Sequence, residues 1–383
     1  MTYLFTSESV SEGHPDKVCD RISDALLDLH LKHDPHARTA VETMATTNRV
    51  IIAGETAAGK LPDNEEIEDC IRQTVKEIGY EQPGFDWRRL QIENYLHRQS
   101  ADIAAGIGSG GAGDQGIMFG YAKKEPGYLT EYMPLGTYLV NKILKDLKNA
   151  RREQKAPGLE PDAKAQITLL CEGRKAVKTA TLLVSCQHQE KLTPEDVREI
   201  ILEQLKASLP EEFIPAPQNI LTNPAGRFII GGPDGDTGLT GRKIIADTYG
   251  GYAPHGGGAF SGKDASKVDR SAAYMLRYLA KNIVAAGLAG ECLLQISYAI
   301  GRRLPLSLHI DCKGTCKVDE NKLLETVREM VDLTPSGIIN HLGLRKPIYS
   351  STSAYGHFGR QALPNGEFSW EKLDLSEELK KCF

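Results

Sequence analysis

The sequence predicts an α+β protein built from three similar α+β domains, with mixed sheets carrying helices on one face. Three observations lead there. Segments of helical and strand periodicity are mixed from one end to the other. A strand pair with flanking helices recurs about three times, although no repeat is visible as residue identity. The chain, at 383 residues, is also longer than one hydrophobic core ordinarily serves.

The elements follow in order. Val18, Ile22, Ala25, Leu26 and Leu29 recur at helical spacing, and Pro15 stands where a first helical position tolerates proline, so a helix runs from Pro15 to about Leu31. Asp20, Asp24 and Asp28 step along it opposite Val18, Ile22 and Leu26, which reads as its solvated face. A hairpin follows: Ala40 to Met44, a turn at Thr47-Asn48, and Val50 to Ala53. Ile67, Ile71, Val75 and Ile78 mark a second amphipathic helix.

The grammar repeats in the middle, with a helix from Leu135 to Leu147, strands at Gln166–Leu170 and Ala176–Ser185, and a helix opened by Thr193-Pro194-Glu195. In the last third, 269–286 and 320–331 read as helices, and 292–300 and 306–311 as strands. Glycine-rich stretches place domain boundaries near 105 and 230, giving units 1–105, 106–230 and 231–383.

Bulk properties narrow the function. A net charge of −5 excludes a general nucleic-acid binder, which needs excess Lys and Arg to neutralise phosphates over a broad face. No apolar run is long enough to span a membrane, and the start, Met1 to Ser9, lacks the basic and apolar segments of a secretory signal. A cytoplasmic protein with reduced thiols is the expectation. Cys312 and Cys316 are spaced like half of a zinc site, but no second Cys or His pair follows, so they read as turn cysteines.

Of three glycine-rich motifs, two point to phosphate chemistry. Gly111-Ala-Gly-Asp-Gln-Gly116 spells a dinucleotide fingerprint, yet Ile117 to Tyr121 looks extended where a helix is required. Gly257-Gly-Ala-Phe-Ser-Gly-Lys263 matches a P-loop until Asp264, which replaces the hydroxyl that such loops present to magnesium and would repel phosphate. Closely approaching backbone N–H groups and the Lys263 charge still suit a phosphate. In Gly231 to Lys243, Arg242 and Lys243 can hold phosphate oxygens, and Asp236 a hydroxyl, an ammonium or a metal-bound water.

The start of the first helix adds a third anion site. Its free N–H groups and dipole attract phosphate, His14 and Lys17 supply donors, and Asp16 can carry Mg²⁺ bridging to the phosphates. On residue chemistry alone, a different ATP-dependent phosphotransferase and a non-catalytic nucleotide-binding regulator remain open.

Taken together, Phe5-Thr-Ser-Glu-Ser-Val-Ser-Glu-Gly-His-Pro-Asp-Lys17, Gly111 to Gly116 and His255-Gly-Gly-Gly-Ala-Phe-Ser-Gly-Lys-Asp264 closely resemble the S-adenosylmethionine synthase family. The likeness continues through Pro161 to Lys164, Asn223 to Phe228, Gly238 to Ile244, Ser266 to Ala273 and Ala354 to Arg360. It implies three α+β domains in a pseudo-threefold arrangement with an interleaved chain. It also implies synthesis of S-adenosylmethionine from ATP and L-methionine, followed by hydrolysis of the bound triphosphate to pyrophosphate and phosphate.

The resemblance assigns His14, Lys164, Arg242, Lys243 and Lys263 to catalysis and the phosphates. Asp162, Arg227, Phe228, Asp236 and Ala259 complete the ATP set. Glu55, Gln99, Asp114, Asp236 and Lys267 would hold methionine. Asp16 and Asp269 would bind two Mg²⁺ per site, and Glu42 one K⁺. The site would form between the subunits of a homodimer, often paired into a tetramer. A gating loop is expected after Gln99; here Ala104 to Gly110 is small, uncharged and short for the family.

Overall fold

The computed structural model describes residues 1–99 and 110–383, so most of the expected gating loop lies outside the described residues. Three sheets organise the chain. The first orders β1 (Thr2–Val10), β8 (Leu159–Glu172), β9 (Lys175–His188) and β10 (Ile220–Thr222) side by side. The second orders β11 (Gly238–Leu239), β2 (Arg38–Thr46), β3 (Arg49–Ala57) and β6 (Gln91–Arg98). The third orders β13 (Ser307–Asp311), β12 (Glu291–Tyr298) and β7 (Gly116–Lys123), and a short β4–β5 ribbon (Glu81–Gln82, Phe85–Asp86) stands apart.

Each large sheet buries one face under helices. α1 (Pro15–His33) and α2 (Asn64–Ile78) share a core with the second sheet through Val18, Ile22, Val41, Val50, Ile52 and Ile71. α3 (Leu135–Arg152) and α4 (Pro194–Ser208) cover the first with Leu139, Ile143, Ile167, Leu169 and Ile201. The third receives α6 (Val268–Ala285), with α7 (Glu320–Met330) and α8 (Pro335–Leu342) in the same core; α5 (Ile244–Asp247) and α9 (Ser376–Lys381) are short. Strand pairing crosses both of the segment limits drawn at 105 and 230. β1 pairs with β8, β11 with β2, and β7 with β12.

The helices and hairpins expected from periodicity form, most within a few residues of their expected limits, although β8 begins at Leu159 rather than Gln166 and α3 runs on to Arg152 rather than ending at Leu147. Capping explains several starts: α2 and α4 open on reciprocal capping boxes at Asp63/Glu66 and Thr193/Asp196. β1, β6 and α8 were not anticipated.

One reading is overturned. The Asp20, Asp24 and Asp28 face of α1 is not solvated: the three residues are 0%, 0% and 5% exposed. Each carboxylate accepts backbone N–H groups from a neighbouring loop, Asp20 from Gly241 (2.8 Å), Asp24 from Gly262 (2.9 Å), and Asp28 from Tyr349 and Ser350 (2.9 and 2.8 Å). Burying an acid stripe is stable here because loop donors and cations satisfy it.

Candidate active site

The loops that carried the sequence motifs gather around α1 and the strand beside it. β11 lies on β2 at Ala45 and Met44, and Lys263 bridges to Ala40 near the opposite end of β2. The two loops meet, because a side-chain carbon on Gly241 would come within 2.6 Å of Ala259. The acid stripe of α1 anchors both, through the Asp20–Gly241 and Asp24–Gly262 bonds.

Asp16 is the centre of the first group. Its carboxylate takes the Leu239 N–H (3.0 Å), Arg242 Nε (2.8 Å) and Lys243 Nζ (2.5 Å). Burial opposes its ionisation, but these donors, the Lys243 ammonium foremost, outweigh burial and hold the carboxyl below its ordinary value. Asp16 is therefore a fixed carboxylate at neutral pH.

His14 caps α1, its Nδ1 accepting the Asp16 N–H at 3.1 Å. That bond leaves the imidazole proton on Nε2. Burial, then the nearby Lys243 and Lys164 charges, push its pKa down to about 3. His14 is thus a neutral Nε2–H donor at neutral pH rather than an imidazolium.

Lys164 projects exposed from β8, between the core residues Ala163 and Ala165, and Ser11 ties the entry to α1 to this strand through Pro161 O (2.7 Å) and Ala163 N (2.8 Å). Beside it, buried Asp162 accepts the Gly232 N–H at 2.8 Å on Oδ2, while its Oδ1 has no partner among the described residues. Burial drives the Asp162 pKa up to about 6, with Asp236 adding to the rise. Phe228 is half-buried against His188, and Arg227 is exposed, donating to the Glu190 carbonyl.

The second group lies around Lys263. Its Nζ meets Asp269 Oδ2 at 2.7 Å, and Asp269 is the second residue of α6 as Asp16 is of α1. Gly258 and Gly116 press on Asp269, a side-chain carbon at either coming within 2.3 and 3.4 Å of it, which places the Asp114–Gly116 stretch at this acid. Lys267 pairs with Asp264. Glu55, exposed on β3, lies in register with Ala40, 3.7 Å from His97, and Gln99 follows β6 with its N–H on Thr56 O (3.0 Å). Glu42 is exposed two residues along β2 from Ala40.

Two expectations about charge change. Lys17 does not face a phosphate: it is 2% exposed and neutralised by Asp20 (3.0 Å) and Asp247. Asp264 does not repel one either, since its carboxylate turns inward to the Thr39 N–H (2.9 Å), the Ser266 N–H and Lys267. The P-loop hydroxyl is replaced by an acid that ties the loop to β2. Sequence reasoning missed Asp247 and Arg270, which hold the scaffold, because isolated charges carry no periodic signal.

Replacing His14 by glutamine has a calculable effect on stability. With a folded pKa near 3 against an ordinary 6.5, the unfolded chain binds the extra proton between those values, so His14 makes the fold lose stability as pH falls through that window. Urea unfolding of H14Q from pH 6.5 to 4 is expected to show a shallower loss than the unsubstituted protein. Parallel profiles would refute the neutral, buried imidazole.

Comparisons with known proteins agree in kind. Residues 2–101, 109–228 and 230–372 match the models of the N-terminal, central and C-terminal domains of S-adenosylmethionine synthetase, respectively. The chain is 56% identical over 386 aligned positions to the S-adenosylmethionine synthase of Paramagnetospirillum magneticum, covering 100% of this chain and 99% of that protein. Similar proteins of the same name occur in Rhodospirillum centenum (54% identical) and Zymomonas mobilis (55%), each alignment again covering 100% of this chain and 99% of the relative.

Proposed function

The chain belongs to the S-adenosylmethionine synthetase family, and from that premise we propose that it joins ATP to L-methionine in the basin between the Asp16 and Lys263 groups. As a methionine adenosyltransferase it makes S-adenosylmethionine. The methionine sulfur attacks C5′ of ATP, the C5′–O bond breaks, and its electron pair leaves on the triphosphate. Water then cleaves the bound triphosphate to pyrophosphate and phosphate.

The observation that carries this reading is Asp16 held between Arg242 and Lys243 at a helix N-terminus. Such a cluster is built to exchange partners: the cations go to phosphate oxygens while the acid remains for a metal. Lys263 and Asp269 repeat the arrangement. His14 offers Nε2–H to the oxygen that gains charge, and Lys164 adds a cation there. Asp162, Arg227, Phe228, Asp236 and Ala259 are assigned to the nucleoside side, and Glu55, Gln99, Asp114, Asp236 and Lys267 to methionine.

Hard carboxylate oxygens beside phosphate-binding cations fit magnesium, so Asp16 and Asp269 would each hold one of two Mg²⁺, and the Glu42 carboxylate would serve a K⁺. When bound, these ions supply positive charge that neutralises the triphosphate.

The same surfaces support a homodimer. Gly238 and Lys263 meet β2 at Ala45 and Ala40, roughly 17 Å apart along the strand at about 3.4 Å per residue. A two-fold axis beside such a strand sets the Asp16 group of one copy against the Lys263 group of the other. Leu4, Tyr95 and Ile117, exposed on the sheet faces turned from the helices, give that contact its apolar area.

The test is direct: incubate the protein with ATP, methionine, Mg²⁺ and K⁺, and follow adenosylmethionine, pyrophosphate and phosphate together. All three should appear in equal amounts. A phosphorylated acceptor without adenosylmethionine would identify a phosphotransferase, and ATP binding without turnover a regulator.

A further inference from the structure

The turn after β13 collects groups that the reaction does not use. Cys312 and Cys316 flank it, and Glu320 opens α7; their sulfur and carboxylate atoms all lie within 4.8 Å of one another. A further thiol on the neighbouring strand lies beside Cys312 but outside that group. The β12–β13 register pairs Leu293 with Asp311, so Cys292 comes directly opposite Cys312 one step beyond, and both are fully buried.

The turn is rigid. Thr315 Oγ1 donates to the Cys312 carbonyl (2.6 Å) and accepts the Gly290 and Glu291 N–H groups (3.2 and 3.0 Å), locking the loop to the start of β12. Glu320 Oε1 takes the Cys312 N–H at 3.0 Å, which fixes the carboxylate against the thiol pair and leaves Oε2 to face outward from that bond. The reading of Cys312 and Cys316 as plain turn cysteines rested on the lack of a second ligand pair in the sequence. Folding brings a third group to them, the Glu320 carboxylate from α7.

We infer that Cys312, Cys316 and Glu320 form a binding site for a soft divalent metal of the zinc class. The ligand chemistry selects the metal. Two sulfurs and one carboxylate, with water in the fourth position, suit zinc or cobalt in tetrahedral coordination and do not suit Mg²⁺ or K⁺, which take oxygen ligands. Free cysteine thiols are protonated at neutral pH until a metal arrives. Binding forms one metal–sulfur bond per cysteine and releases one proton to solvent for each, while the carboxylate binds as it stands.

The site is separate from the proposed chemistry, which allows a clean experiment. The full chain, reduced and stripped with a chelator, is titrated with cobalt(II) chloride in saturating Mg²⁺. The expected result is one cobalt per chain with a near-ultraviolet sulfur-to-cobalt charge-transfer band that zinc abolishes. C312S and C316S should lose the band; because Cys312 is buried and its variant can misfold, the part-exposed Cys316 is the deciding position. E320Q, which keeps an oxygen for the Cys312 N–H, should weaken binding roughly tenfold or more. C316S should synthesise adenosylmethionine within about twofold of the unsubstituted enzyme, as expected of a surface change outside the active site. Absence of the band, its persistence in C316S, or purified chains two hydrogens lighter from a Cys312–Cys316 disulfide would overturn the assignment.

Discussion

Replacing Asp24 by alanine is expected to lower the unfolding free energy by about 3–5 kcal/mol, the usual cost of stranding one partner of a buried ion pair. Asp24 receives Arg270 through Nη1 at 2.6 Å and Nη2 at 3.0 Å, and both side chains are essentially inaccessible. Without the carboxylate, Arg270 keeps its bonds to Tyr274, Phe260 O, Lys263 O and Thr352 but loses its only counter-charge among the described residues. The Gly262 N–H is orphaned as well.

The loss is therefore not confined to stability. Asp24 joins α1 to α6 and to the turn carrying Lys263, so D24A should also raise the KM for ATP by loosening that turn. Urea unfolding measures the first effect and initial rates the second. D24A unfolding within about 1 kcal/mol of the unsubstituted protein would mean that the acid stripe is not a structural brace. The paired change D24L/R270M removes both charges at similar volume and should recover part of the stability.

This brace marks the limit of what the sequence discloses. Apolar periodicity located α1, α2, α3 and α6, because burial of one helical stripe leaves a repeating record. The same rule failed for Asp20, Asp24 and Asp28: acids at four-residue steps predict solvent unless the loops that cover them are known. Those loops, at Gly241, Gly262 and Tyr349, arrive from more than 200 residues away in sequence. β1 escaped notice because Ser7 and Ser9 are buried polar positions, and its partner β8 lies about half the chain away.

For the candidate site, residue types were legible and directions were not. His14, Asp16, Arg242, Lys243, Lys263 and Asp269 could be picked out by motif. That Lys17 and Asp264 point inward could not, since their orientation is set by Asp247 and by Thr39, neither of which belongs to the same motif. The Cys312 turn shows the same limit, for Cys292 reaches it only through strand register.

Lys263→Ala is expected to reduce kcat by about 10²–10³-fold, the loss that follows removal of one donor aimed at developing negative charge. Lys263 Nζ is 2.7 Å from Asp269, the acid assigned to the second magnesium, on a turn pinned by Val41 and Asp24. In the proposed assignment it is a cation that would trade this carboxylate for phosphate. Its removal should act where the triphosphate gains charge and where that triphosphate is later cut. Methionine, bound through other groups in the proposed assignment, should keep its KM within about threefold, a shift of under 1 kcal/mol. The decisive readout is hydrolysis of added tripolyphosphate, which isolates the second step from alkyl transfer. If K263A hydrolyses tripolyphosphate at the unsubstituted rate, Lys263 does not hold the phosphate chain. A raised methionine KM with unchanged kcat would move it to the amino-acid side of the basin.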